Sequence, residues 1–181
     1  MLTMTPDATT GPVDVDDLAG FTAPERPELD PEAVLLCALL HTADTAEVTV
    51  IVDHLQADDF LTPTYGELYA VIADLATAGE GHGPSRVLAT LTDAGRLTGH
   101  AGKRLADTLQ TVMLLGTPAI GLRGLALDVL RAAYRRRFTA GAGALTEAAQ
   151  AAPTEDLFDI LLEHGRDMRR ETNRLRSLQG Q

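Results

Sequence analysis

From Asp30 onward, apolar residues recur at helical spacing. Val34, Leu35, Ala38 and Leu39 line one face of a first segment, and Leu36 and Leu40 widen it until the segment is apolar nearly all round. That pattern predicts a helix buried at the centre of a core. Val48, Ile51, Val52 and Leu55 repeat at i, i+3, i+4 and i+7 and predict a second helix. The period breaks at QADD, where Phe60 and Leu61 plug inward, and restarts with Leu68, Tyr69, Ile72, Leu75 and Ala76. Val87, Leu88 and Leu91, ended by Gly95, predict a short helix, and Leu105 and Leu109 mark another. The punctuation agrees: Asp30 stands as an N-cap before Pro31 and Glu32, and Thr62 precedes Pro63 in the same way.

After Pro118 the pattern lengthens and doubles. One stripe runs through Leu122, Leu125, Val129 and Ala133, and a second through Leu127, Leu130, Tyr134, Phe138 and Leu145. Two stripes on one long helix predict two burying partners: the core, and another helix or subunit. AAPTED marks a turn, with Thr154 as cap, and the last helix carries Leu157, Leu161, His164, Met168, Glu171, Leu175 and Leu178 in alternating steps of four and three. That is a heptad seam interrupted at Glu171. The expected fold is all-α, a small orthogonal helical bundle over residues 29–115 followed by a two-helix hairpin over 116–181 that serves self-association or partner binding. Residues 1–28, rich in Thr, Pro, Gly and Asp, read as a disordered acidic tail.

Composition supports the helical reading, since 45% of residues are hydrophobic but only 4% aromatic, leaving a core of Leu, Val, Ile and Ala. The lone Cys37 lies in an apolar run, so it reads as a buried thiol in a reducing compartment. No secretion signal opens the sequence, and no apolar run is long enough to span a bilayer, so a cytoplasmic, non-membrane protein is expected, with association to the nucleoid open. The net charge of −11 is uneven: residues 1–60 hold thirteen acidic residues against one Arg, and residues 121–181 hold eight against ten Arg. The first third repels nucleic acid. The last third is free to approach it or an acidic partner.

Candidate chemistry is sparse. AGAGALTEA at 140–148 lacks the Lys and the preceding strand of a phosphate loop, so its small residues read as sites of close helix approach or a kink. The five histidines show no i, i+4 pair suited to a metal, and no nucleophile constellation appears, so no cofactor, metal or catalytic residue is expected. Asp58 and Asp59 read as charges placed before a helix N-terminus. Arg135, Arg136 and Arg137 point about 100° apart and cannot form one patch. Arg166, Arg169, Arg170, Arg174 and Arg176 crowd the last helix and are the candidates for contact with nucleic acid or an acidic partner.

In their order these elements resemble the N-terminal domain of DnaB-type replicative helicases. The residues that carry the resemblance are the run EAVLLCALL, the loop LQADDF with Leu55, Asp59 and Phe60, then Pro63, Leu68, Tyr69 and Ile72, the motif LTDAGRL, the segment HAGKRLADTL and the closing hairpin, from about Asp30 to Arg174. Cys37 stands where that family usually has Gly, and Tyr65-Gly66 where it often has His-Arg. The 181 residues contain no Walker motif, so the family's RecA-like ATPase is not carried over. The resemblance implies a non-enzymatic replication module that contacts itself and a replicative helicase, primase or helicase loader. The residues expected to do so are Leu127, Leu130, Tyr134, Phe138, Leu157, Leu161, His164, Met168 and Leu175. The alternative is an accessory protein that binds nucleic acid, weakly or indirectly, through the arginine-rich last helix.

Overall fold

The computed structural model describes residues 26–116 and 121–180. Among them run seven α-helices and no strand: α1 (Pro31–His41), α2 (Thr45–Val52), α3 (Pro63–Thr77), α4 (Pro84–Asp93), α5 (Gly99–Met113), α6 (Leu122–Ala151) and α7 (Leu157–Gln179). None of these helices is long and apolar enough to cross a membrane.

The all-round apolar character of α1 puts it at the centre. Ala33 and Leu35 through Leu40 are buried against α3, α5 and α6, and the Cys37 thiol donates to the Leu115 carbonyl at 3.0 Å. Its start is fixed by Asp30, whose carboxylate accepts from the Glu32 N–H at 2.9 Å, with Pro31 at the first helical position. The α2–α3 corner contains a single 3-10 turn, Ala57–Asp59, closed by the Gln56 N–H donating to Asp59 Oδ2 at 2.6 Å. The Phe60 and Tyr69 rings pack tilted by 33° with centres 4.9 Å apart, and the Tyr69 hydroxyl donates to the Leu55 carbonyl at 3.0 Å. Gly66 makes this corner possible, because a Cβ there would stand 2.5 Å from the Ala57 carbonyl oxygen.

Several local expectations need correction. Thr62 occupies the cap position of α3, but its side chain makes no capping bond; the Glu32 carboxylate from α1 accepts from Leu61 N–H at 2.7 Å and Thr62 N–H at 3.2 Å instead. Thr154 opens a 3-10 turn, Thr154–Asp156, and does not cap α7, whose cap position is Asp156. Of the segment read as a tail, residues 1–25 lie outside the described residues, while Pro27–Leu29 forms a 3-10 turn that packs on α1. Proline at its first position and the Asp30 N–H bonded to Pro27 O order it.

The hairpin shares the central core at its base. Leu122, Leu125, Ala126, Val129 and Leu130 of α6 and Leu178 of α7 are buried in the same cluster as α1. The Glu47 carboxylate of α2 accepts the otherwise free Arg123 N–H at the start of α6 at 3.2 Å, where the helix dipole favours an anion.

Candidate interaction surface

The hairpin has three tiers. At the base, first-stripe residues of α6 enter the core. Midway, charged side chains lock it to the α2–α3 corner. Toward the tip, Phe158, Leu161 and Leu162 are exposed beside a half-buried seam.

The middle tier is built around Asp59, which is fully buried. Arg137 donates to Asp59 Oδ1 at 2.5 Å, Arg174 donates to Oδ2, and Arg136 donates to the Asp59 backbone carbonyl. Arg174 also reaches the His54 carbonyl at 2.9 and 3.0 Å, and Glu171 ties the two helices by accepting from Arg137 at 3.0 Å and Arg174 at 2.7 Å. Asp58 adds a contact to Arg137 at 3.1 Å. A buried carboxylate persists as a charge only when paired in this way. Burial opposes the Arg137 charge, but the hydrogen bond and attraction to Asp59, helped by Glu171 and Asp58, win and hold its pKa above the usual guanidinium value. Beside the cluster, Glu32 has its pKa raised by burial, an effect its two backbone bonds and Arg136 only partly offset.

This arrangement changes the reading of several residues. Asp59 does not merely complement a helix dipole; it anchors two helices that start 63 and 98 residues later in the chain, at Leu122 and Leu157. Glu171, the interruption in the heptad, sits on the seam as the counter-charge of Arg137 and Arg174. Arg174 is therefore engaged inside the protein. Arg170 is exposed and paired with Asp167, while Arg166, Arg169 and Arg176 are exposed.

The α6–α7 seam follows helix geometry more than the predicted heptad. Leu157, His164, Met168 and Leu175 are half-buried as expected of a seam, but Ile160 occupies the position expected of Leu161, which is 53% exposed. Gly141 explains the close passage of the helices: a Cβ there would lie 1.9 Å from Cε1 of His164, so the imidazole rests on bare α6 backbone. The small residues of AGAGALTEA thus serve packing.

Of the second stripe of α6, Leu130 is buried in the core at the base and Leu127, Tyr134 and Leu145 are half-buried, but Phe138 is 54% exposed, and on α7 Phe158 and Leu162 are 66% and 38% exposed. With Leu161 these form the exposed apolar side chains of the hairpin. Sequence periodicity missed Phe158 and Leu162, which lie off the seam; their signal was an apolar run, LFDILL, too wide for one partner. No group of three or more metal-ligating side chains occurs among the described residues.

The family model of the DnaB-like helicase N terminal domain matches residues 25–115, half of the chain. Among solved structures, the crystal structure of the N-terminal domain of DnaB helicase from Mycobacterium tuberculosis matches with a TM-score of 0.64 at 23% identity, covering 76% of this chain and 94% of that one. At that identity the likeness concerns the fold alone. Its coverage is too large to fit within residues 1–115, so it extends into the hairpin. No curated protein matches the chain.

Proposed function

Because this chain belongs to the family of DnaB-like helicase N-terminal domains, we propose that it is a non-enzymatic interaction module of DNA replication, using the hairpin to bind a second copy of itself and a replicative helicase, primase or helicase loader. The observation that carries the reading is the exposed apolar group Phe138, Phe158, Leu161 and Leu162 on a hairpin locked to its core by a buried charge cluster. A fixed lever that presents large apolar side chains suits a protein interface, because such residues in water favour burial by about 25 cal/mol per Å². A cytoplasmic place of action follows from that role.

Capture on the immobilised chain tests the partner half of the proposal. The chain is expected to retain purified replicative helicase or primase from its own organism, and Phe158→Asp/Leu162→Asp to lose that retention. Failure to retain any of helicase, primase or loader would remove the partner role. Retention untouched by the double variant would move the contact away from the hairpin.

A further inference from the structure

On the side of α6 turned away from the core, Tyr134 and Phe138 stack with their rings 6.4 Å apart, and with Leu175 of α7 they floor an open groove of about 760 Å³. Arg131, Arg135 and Thr139 rim it. Among the described residues Arg135 makes no ion pair, and Arg131 pairs there only with the exposed Asp128 at 3.2 Å, a contact easily exchanged. The groove is thus apolar at its floor and cationic at its rim.

We propose that the chain's own segment Val13–Phe21, VDVDDLAGF, docks in this groove in cis. Three features on the two surfaces correspond. Asp14, Asp16 and Asp17 match the rim arginines in sign, and residues 1–25 contain five acidic residues and no basic one. Val15, Leu18 and Phe21 supply apolar side chains for the Tyr134–Phe138 floor. The tether also reaches. The described chain begins at Arg26 near the first turn of α1, where Glu32 lies 3.8 Å from Arg136 of α6. Asp17 is nine residues earlier, and an extended chain covers up to about 3.6 Å per residue, or about 30 Å. A helix with its side chains is only about 10–12 Å across. A segment tied at that distance faces the groove at an effective concentration in the millimolar range, so a weak acidic–apolar match suffices to keep it occupied. The segment then competes with any partner for Phe138; this consequence alone rests on the function proposed above.

The test uses the full chain and needs neither partner nor self-association. A nitroxide is placed on Ala19→Cys; Cys37 is fully buried and escapes labelling. Amide signals of α6 around Arg131–Thr139 and of Leu175 are expected to lose most of their intensity and to recover in Arg131→Glu/Arg135→Glu or in about 1 M salt, where screening acts within about 3 Å. Broadening that is absent, spread evenly over the surface, or indifferent to both charge reversal and salt overturns the proposal. At a concentration where light scattering gives the monomer mass, mixing nitroxide-bearing chain with isotope-labelled chain that lacks it is expected to leave the signals intact. Broadening there would put a second copy's segment in the groove and overturn docking in cis.

Discussion

Asp59 is the buried acid at the centre of the charge cluster. It is fully buried, and two arginines from distant helices meet its two oxygens. Asp59→Asn keeps the shape but leaves Arg137 and Arg174 short of a counter-charge, so urea unfolding is expected to show a loss of about 3 kcal/mol. Asp128→Asn, which disturbs only an exposed pair with Arg131, is expected to change stability by less than about 1 kcal/mol. Glu32 differs in sign. Its pKa is raised in the fold because burial disfavours its charge, so its stabilising contribution is complete below the ordinary value of 4.5 and is lost as pH rises through the higher folded value. Glu32→Gln removes that dependence but keeps only one of the two acceptor oxygens, so the Leu61 or the Thr62 N–H faces an amide NH2. The variant is expected to lose the part of the pH dependence of stability that Glu32 contributes above 4.5; denaturant melts across pH measure it.

At the scale of elements, α6 and α7 are held by fit as much as by charge. Gly141→Ala pushes a Cβ into His164, at a cost of about 1–3 kcal/mol for overpacking. With His164→Ala the clash is gone and only the helix propensity remains, worth about 1 kcal/mol in favour of alanine. A double-mutant cycle should therefore change sign: Gly141→Ala destabilises the native chain and stabilises His164→Ala. Met168 lies half-buried on the same seam, beside Asp167 and Glu171. Met168→Asp is expected to cost several kcal/mol and loosen the hairpin, while Arg170→Glu, at the exposed rim, costs less than about 1 kcal/mol. Thermal melts followed by circular dichroism separate the two.

The elements themselves were legible because their cues are local. Pro31, Pro63 and Pro84 stand at helix starts, and the apolar circumference of α1 announces its burial. The charge cluster was not legible, because Asp59 meets Arg137 and Arg174 across 78 and 115 residues and nothing near any of them names the others. Local sequence placed Asp59 at a helix start and the arginines on a helix surface, both true and both incomplete. The seam slipped for a related reason. A strict heptad carries Leu161 inward, but Leu161 is 53% exposed and its neighbour Ile160, about 100° round the helix, is the half-buried one. The exposure of Phe158 and Leu162 depends on where α6 lies, and that in turn is set by Gly141, His164 and the Asp59 anchor.

For the whole molecule, the consequence is a hairpin fastened to its core at two levels. The hairpin's base is part of the core through Leu122 to Leu130 and Leu178, its middle is fastened to the α2–α3 corner, and its upper part carries exposed aromatic and aliphatic side chains. A chain with net charge −11 resists nonspecific association at long range, so any stable contact between copies must come from a matched apolar surface. In the function proposed above, the hairpin carries this surface. Molar mass by light scattering over a wide concentration range, comparing the native chain with Phe158→Asp/Leu162→Asp, tests that placement. The native mass is expected to rise above the 19.2 kDa monomer with concentration, and a variant of unchanged helicity to stay at the monomer mass. A native chain that is monomeric throughout, or a variant that associates as strongly as the native chain, would contradict it.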